Sequence, residues 1–341
     1  MKKTKGDLMN NLRKVGISAL AGSLAAFSAQ AVEMTASGSA KVTYYNTDTT
    51  ETTGNPFGMN TSISFSGSGD VNGYETTLLI TNNDANSGLS SASLSVDMGD
   101  MGKVTFDQAV GVGGLSTIDD KLPSAYEESW DSIDAAATTS SNGLVGMGNS
   151  GVFVYANTFA GNSVSAQFGK GQSVANSDDA VGGTSGHGSS WDIAVTNSSF
   201  ADGLTVGAGY GKISNGNGDK KEASGDTDEH MTAFATYAVG PVTLGYQQSH
   251  REDNTIGGIP ESATSYGVAV NLMEGLSVSY NDREIEFANA SSAHVTEDAT
   301  GVALSYTMGS AKIAIQQNEV DNNDGGTTSD ESTEIALSLS F

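Results

Sequence analysis

Hydrophobic and polar residues alternate one by one in many short segments of this chain. The last segment is the clearest case, because Ile335, Leu337, Leu339 and Phe341 are separated by small or polar residues and the chain stops on an aromatic ring. Residues 276–281 repeat the pattern. Successive side chains of a β-strand point to opposite faces, so this period of two predicts strands with one apolar and one polar face. A soluble antiparallel sheet with one buried face has the same period, so alternation alone leaves the protein class open.

Sixteen such segments are present, and the connections between them alternate between short and long. The seven short connections have turn-forming sequences and lie at 70–73, 99–102, 160–162, 201–203, 240–241, 273–275 and 309–310. The eight longer, polar connections lie at 47–58, 83–88, 109–150, 171–188, 214–228, 252–262, 287–297 and 320–332. Single-chain transmembrane barrels have this rhythm and an even number of strands. The sequence therefore predicts an all-β fold: a transmembrane antiparallel β-barrel of sixteen strands with short periplasmic turns and long outer loops.

Aromatic residues support a membrane barrel over a soluble sheet. They fall near strand ends on the apolar faces, at Tyr44, Tyr210, Tyr246, Tyr266 and Tyr280 toward the long loops, and at Phe159, Phe200, Tyr237, Tyr306 and Phe341 toward the short turns. Amphipathic rings are favoured at both membrane interfaces, so these positions predict two aromatic belts. After the N-terminal segment no apolar run of 18 or more residues occurs, which excludes a helical membrane protein.

The N-terminal segment has the form of a secretory signal. Basic residues precede an apolar stretch at 15–27, and Ala29, Gln30 and Ala31 form a small-residue cleavage site. We predict a cleaved signal peptide at 1–31 and a single barrel domain at 32–341. The alternative is a short amphipathic helix that stays on the protein.

The charge of the mature chain narrows its partners. The predicted signal removes five of 15 basic residues and one of 40 acidic residues, which leaves ten basic and 39 acidic residues and a net charge of −29. Nucleic acid is excluded, because phosphate binding needs clustered Lys and Arg. Such a charge favours cations or a hydrated surface. Because the chain has no cysteine, disulfides and thiolate metal sites are excluded as well.

The third long connection, 109–150, is far longer than the others and needs a reason. It contains six acidic residues and the single cation Lys121; the acidic residues are Asp119, Asp120, Glu127, Glu128, Asp131 and Asp134. A loop of this size that folds into the barrel narrows the lumen and presents these carboxylates to passing solutes, where charged rings select ions. An acidic loop exposed on the surface is the alternative.

The chain resembles the Gram-negative trimeric general porins, most closely the alphaproteobacterial type. The resemblance is carried by residues 37–41 in the first strand, by Gly102, Lys103 and Val104, by the acidic third loop and by the terminal Phe341. It implies a homotrimer of sixteen-stranded barrels in the outer membrane, in contact with lipid and lipopolysaccharide. It also implies a third loop folded into the lumen, as a constriction for small hydrophilic solutes and ions.

The resemblance also implies roles for individual residues. The six acidic residues of the third loop correspond to the acidic side of the constriction, and Lys41 corresponds to a basic wall residue, or is a lumen lysine without a special role. Glu75, Lys103 and Asp107 also fall on polar faces and are predicted to line the pore wall. The family usually places several arginines opposite the loop, whereas the mature chain has only Arg251 and Arg283, both near outer strand ends. We therefore expect a weak transverse field and a preference for cations.

Other chemistry finds little support in the sequence. The four histidines show no ligand spacing, and no residues combine into a nucleophile, a base and an oxyanion site, so we expect no enzyme activity and no cofactor. Asp321, Asn323 and Asp324 offer oxygen ligands to calcium, although they lack the spacing of an EF-hand and otherwise form a solvated turn.

Two classes of function remain. The first is an outer-membrane porin: a water-filled, cation-preferring diffusion channel for small hydrophilic solutes, either general or selective for one substrate class. The second is a secreted acidic all-β surface protein, such as an adhesin or a calcium-bridged array protein. The second class predicts neither the regular loop rhythm nor two aromatic belts.

Overall fold

Sixteen antiparallel strands form one closed barrel. The computed structural model describes residues 33–47, 55–83, 91–111, 113–131, 133, 150–170, 189–214, 227–253, 260–287 and 295–341. The strands are β1 (Glu33–Thr47), β2 (Phe57–Val71), β3 (Tyr74–Asn83), β4 (Ser91–Asp97), β5 (Lys103–Gln108), β6 (Ser150–Phe159), β7 (Asn162–Lys170), β8 (Ser189–Asn197), β9 (Leu204–Ser214), β10 (Thr227–Val239), β11 (Val242–Asp253), β12 (Pro260–Met273), β13 (Leu276–Phe287), β14 (Glu297–Met308), β15 (Ala311–Asp321) and β16 (Asp330–Ser340). Each strand pairs with its neighbours in the chain, and β16 pairs with β1. The predicted fold class is confirmed.

Helical structure in the described residues is limited to three short 3₁₀ helices, at Gly99–Met101, Gly114–Thr117 and Asn323–Gly325. Within the same residues no helix has the length and apolar character needed to cross a membrane. The predicted signal peptide at 1–31 lies outside the described residues.

The strand register separates the two faces that the alternation predicts. Val42 lies opposite Met59 of β2 and Leu337 of β16, and all three side chains are exposed on the outer surface. Lys41, one residue earlier, lies opposite Asn60 and points to the lumen. Large apolar side chains are 36% to 76% exposed on the outside, whereas most buried polar side chains lie inside. This pattern is the inverse of a soluble protein and is typical of a barrel whose outer face meets lipid.

The connections confirm the predicted short and long alternation. The turn between β2 and β3 consists of Asn72 and Gly73 with φ values of 57° and 87°, and a two-residue hairpin turn of this kind requires such left-handed conformations. The predicted last loop, 320–332, is longer than the observed one, because β15 continues to Asp321 and β16 begins at Asp330.

Aromatic side chains pack in pairs on the outer face near the long loops. The ring centroids of Tyr44 and Phe57 are 5.5 Å apart, and those of Tyr246 and Tyr266 are 5.3 Å apart. Tyr280 is likewise exposed on this face. The prediction that Phe200 ends a strand was wrong, since β8 ends at Asn197 and Phe200 lies in the following turn, 70% exposed.

The last residue of the chain completes the ring of strands. The N–H of Gly38 donates to the carbonyl of Phe341 (2.7 Å), and the N–H of Phe341 donates back to the carbonyl of Gly38 (2.9 Å). A Cβ on residue 38 would lie 2.6 Å from Cε2 of the Phe341 ring, so a glycine is needed for the ring to pack over β1. The C-terminal aromatic residue therefore contributes to barrel closure.

Candidate functional site

The third long connection leaves β5 and turns directly into the lumen. Its first turn is held by Asp107, whose Oδ1 and Oδ2 accept hydrogen bonds from the N–H groups of Val110 (2.8 Å) and Gly111 (2.9 Å). Asp107 is fully buried. The prediction that Asp107 lines the pore wall is corrected here: it faces inward, but the turn that it holds covers it and passing solutes do not reach it.

The loop next crosses the inner faces of β7 and β8. The N–H of Gly114 donates to Ser165 Oγ (2.8 Å), and the N–H of Leu115 donates to Asp192 Oδ1 (2.6 Å). Asp192 is buried, so this charge-assisted hydrogen bond is formed away from bulk water. Both contacts fix the loop to the wall through its backbone.

An apolar cluster seats the same part of the loop. Leu115 and Ile118 from the loop pack with Ala194, Ile213 and Phe234 from the wall. The glycine at 209 makes this approach possible, because a Cβ there would lie 2.5 Å from Leu115 Cδ2. Gly209 of β9 thus accommodates the loop, because it carries no side chain.

The middle of the loop lies on β11, β12 and β13. Gln247 Nε2 donates to the carbonyls of Ile118 (3.1 Å) and Asp119 (2.8 Å), and Gln247 Oε1 accepts from the N–H of Lys121 (2.8 Å). Pro123 rests on Gly245, and its carbonyl accepts from Asn281 Nδ2 (3.2 Å). Gln247 is buried, and its amide group donates to two loop carbonyls and accepts from one loop N–H. It therefore fixes this segment of the loop to β11.

The far part of the loop is bound to β15. Gln316 Nε2 donates to the carbonyl of Glu128 (2.6 Å), and Asn318 Nδ2 donates to the carbonyls of Glu128 (3.1 Å) and Asp131 (2.6 Å). The N–H of Glu127 donates to Gln316 Oε1 (3.1 Å). The described loop therefore follows the wall from β7 around to β15.

Tyr126 contacts the barrel wall where β1 pairs with β16 and closes the barrel. Its hydroxyl donates to Glu334 Oε1 of β16 (2.6 Å), and the ammonium groups of Lys41 and Lys312 lie 5.6 Å and 5.5 Å from its ring centroid. Lys41 also forms an ion pair with Glu127 (2.7 Å). The predicted basic wall residue thus contacts the loop itself rather than the open wall opposite.

The contact between Arg283 of the wall and Trp130 of the loop is the one that sequence reasoning missed. The guanidinium carbon of Arg283 lies 4.6 Å from the ring centroid of Trp130, and Arg283 Nη2 donates to Glu297 Oε1 (2.8 Å). Both members of this ion pair are almost fully buried. The alternation places Arg283 on the inner face, but the sequence carries no signal for its partner in the loop.

Five of the six predicted loop carboxylates are described, and Asp134 lies outside the described residues. Asp119 is half-buried, and burial raises its pKa. Asp120 is exposed to the lumen, but the surrounding wall raises its pKa through desolvation, with the charge of Asp131 adding to the effect. Desolvation, then repulsion from Asp120, raises the pKa of Glu128, which hydrogen-bonds with Asp120 and Asp131. These three carboxyl groups therefore hold protons more tightly than isolated ones.

The two other predicted wall residues lie near the short turns. Glu75 lies opposite Asp97, and Asp97 lies opposite Lys103, so the three side chains share the inner face of β3, β4 and β5. Glu75 and Lys103 are exposed to water. Glu75 belongs to the entrance on the short-turn side, and Lys103 borders the space between that entrance and the loop.

The calcium candidates are only partly described. Asp321 Oδ1 accepts a hydrogen bond from Ser329 Oγ, and the N–H of Asn323 donates to the carbonyl of Thr328 (2.8 Å). The side chain of Asp324 lies outside the description. Among the described residues no group of three His, Cys, Asp or Glu side chains forms a metal site. The calcium site stays a prediction.

A closed sixteen-stranded barrel with an acidic loop fixed inside it invites comparison with known proteins. A comparison of the sequence with curated proteins finds no match. The sequence model of the Gram-negative porin family matches residues 16–341, which is most of the chain. The chain belongs to the Gram-negative porin family. The predicted resemblance is thereby confirmed.

Solved structures of other porins share the fold. OmpF of Salmonella typhi, solved with daunomycin, is 14% identical with a TM-score of 0.63 over 91% of this chain and 98% of that chain. A Rhodopseudomonas blastica porin variant is 12% identical with a TM-score of 0.61 over 91% and 100%. The anion-selective porin from Comamonas acidovorans is 13% identical with a TM-score of 0.60, also over 91% and 100%. At these identities the likeness shows the fold alone.

This porin is an outer-membrane diffusion channel, as its family and its fold show. Family and fold are those of non-enzymatic channels. The alternative of a secreted acidic surface protein finds no support in them.

Proposed function

We propose that this porin prefers cations over anions, because the loop inside the lumen keeps a surplus of carboxylates. The described loop contains five acidic side chains and one cation, Lys121. The basic wall residues near the loop offset them only in part, since Lys41 pairs with Glu127 alone, Arg283 pairs with Glu297 of the wall, and Lys312 is the third such residue. In a narrow lumen with low-dielectric walls, such a surplus attracts cations and repels anions.

The pairing of the wall cations is the observation that carries this proposal. A basic side chain that forms an ion pair with a neighbouring carboxylate projects only a weak electric field across the pore. Three loop carboxylates, Asp120, Glu128 and Asp131, have no ion pair with a described basic residue within 4.0 Å, and Asp119 lies next to them in the loop. They are the residues that we assign to ion selection at a constriction.

The reversal potential of a planar bilayer in a KCl gradient tests the proposal. Wild-type protein is expected to give a potential of the sign for potassium permeation. The variant in which Asp119, Asp120 and Asp131 become Asn, and Glu128 becomes Gln, is expected to lose much of it. An unchanged potential in this variant would mean that these residues line no constriction.

A matched control removes the same charge from the outside of the barrel. Glu284, Asp298, Glu319 and Glu331 face outward near the long loops and are exposed. Their joint replacement by the corresponding amides changes net charge equally. It should leave the reversal potential close to wild type, because these groups lie outside the conducting path.

We also propose that the protein assembles as a homotrimer within lipid and lipopolysaccharide, and that small hydrophilic solutes pass through each barrel. Membership of the porin family supports this assembly. Gel electrophoresis of unheated and boiled samples in SDS tests it, with a slowly migrating oligomer expected before boiling. A monomer in the unheated sample, with folded mobility, would refute the trimer and leave the channel intact.

A further inference from the structure

A large cavity lies below the first half of the loop, on the side of the short turns. Its volume is about 830 Å³, and it is bounded by loop residues within 117–123 and by the inner faces of β4 to β11. Asp120 of this lining also belongs to the residues proposed for ion selection, and Phe234 to the loop anchors, but most of the lining takes part in neither. It is large enough for a small organic solute.

The cavity carries charges of both signs from both of its sides. Asp97 and Lys103 come from the wall, where they lie opposite each other in register, and Asp120 and Lys121 come from the loop. Asp97 Oδ1 accepts a hydrogen bond from the N–H of Gly99 (2.8 Å), which leaves its other oxygen for a ligand. All four side chains thus line the same cavity.

Two lysines that line the cavity, Lys103 and Lys121, lack an acidic partner. Neither Lys103 nor Lys121 lies within 4.0 Å of a described carboxylate oxygen, whereas Lys41 and Arg283 each form an ion pair. Lys121 feels the charges of Asp119 and Asp120 without contacting either. The ammonium groups are therefore available to a ligand.

The rest of the lining is rich in hydroxyl groups. Serine and threonine side chains of β6 to β11 make up much of the wall, and Phe234 contributes one aromatic surface. Hydroxyl groups donate and accept hydrogen bonds, so they suit either end of a small polar molecule.

We propose that this cavity is a subsite for small zwitterionic solutes such as free amino acids, with the carboxylate near Lys103 and Lys121 and the ammonium group near Asp97 and Asp120. A simple cation or anion pairs with the cavity residues of one charge sign and leaves those of the other sign without a counter-charge. A sugar satisfies neither. A zwitterion satisfies both and carries no net charge, so it enters an acidic pore without net repulsion.

Liposome swelling with L-glutamine and L-arabinose tests the subsite, since the two solutes are similar in size and only one is zwitterionic. The measured quantity is the ratio of the glutamine rate to the arabinose rate, which normalises for the amount of folded protein. Replacing Lys103 and Lys121 by Gln is expected to lower this ratio about two- to fivefold, the range for solvent-exposed charge contacts. Replacing Asp97 and Asp120 by Asn is expected to lower it similarly.

A control variant removes two lysines from the outer face. Lys170 lies at the end of β7 beside the inward-facing Gly169, and Lys212 pairs with Glu229 on the outside. Replacing both by Gln matches the charge change of the cavity variant and should leave the ratio unchanged. A fall that occurs only in the lysine variant of the cavity would identify an anion site and overturn the proposal. Equal ratios in all variants would overturn it as well.

This test is independent of the proposed cation preference. Both solutes are uncharged overall, and no ion gradient is applied. A channel without ion preference can still show the glutamine effect, and a cation-preferring channel can lack it.

Discussion

Replacing Gly245 by alanine places a methyl group where the loop now rests on the wall. A Cβ at residue 245 would lie 2.2 Å from Pro123 Cδ and 3.2 Å from Pro123 Cγ. Ordinary contacts of a Cβ begin at 3.4 Å, so the two groups must separate by about 1.2 Å. Gly245 has no left-handed φ, so the substitution adds no backbone strain.

The loop is the partner that gives way. β11 is held by continuous hydrogen-bonded ladders to β10 and β12, whereas the loop is held by single side-chain contacts such as those of Gln247. With the wall behind it, Pro123 can retreat only into the lumen. Overpacking of this kind costs about 1–3 kcal/mol, and the open cross-section beside the loop becomes smaller.

Single-channel conductance in KCl reports on the open cross-section of the pore. Unfolding in urea with lipid vesicles measures the loss in free energy of unfolding. We expect the Gly245→Ala variant to show lower conductance and lower stability. Adding Pro123→Ala removes the Cδ and Cγ atoms that meet the new methyl group, so the double variant should regain much of the conductance. Unchanged conductance in the single variant, or no recovery in the double variant, would refute the reasoning that the loop is seated on this glycine.

Three further predictions concern the anchors and charges of the loop. Arg283→Met removes the cation that pairs with the buried Glu297 and should cost about 3–5 kcal/mol in urea unfolding. The Arg283→Met and Glu297→Gln double variant should recover part of that cost. Asp107→Asn keeps one acceptor oxygen and loses the other, so it should destabilise by about 1–3 kcal/mol and increase the open-channel current noise; a quiet channel of wild-type stability would contradict this. Desolvation and the charges of neighbouring carboxylates raise the pKa values of Asp120 and Glu128. Cation preference should therefore fall as pH decreases, and it should begin to fall at a higher pH than it would with ordinary carboxylates. Asp120→Asn should reduce the part of the change above pH 5, and a reversal potential constant from pH 8 to pH 5 would contradict the assignment.

The strands and their connections were predictable because membrane barrels follow local rules. Alternation assigns each residue to a face, and turn residues mark the short connections, as Asn72 and Gly73 do. Lys41 was placed correctly on the inner face for this reason. Neither rule needs a contact that is distant in sequence.

The path of the loop could not be predicted in the same way. Asp107 and Glu75 have the same inward orientation, but one is covered by the turn that it holds and the other is exposed near the short turns. The contact between Arg283 and Trp130 joins segments that are far apart in sequence. Alternation gives the face of a residue, and it gives neither its height in the barrel nor what lies over it.

The pairing of Gly38 with Phe341 makes the two ends of the chain mutually dependent. Without the pairing of β1 with β16, each of these strands would present a row of unpaired backbone groups, which hydrocarbon cannot satisfy. A chain that stops a few residues early leaves β1 with part of its edge open. Closure of the barrel in lipid therefore depends on β16 lying in register with β1, so a deletion within β16 would expose backbone groups of β1 to hydrocarbon.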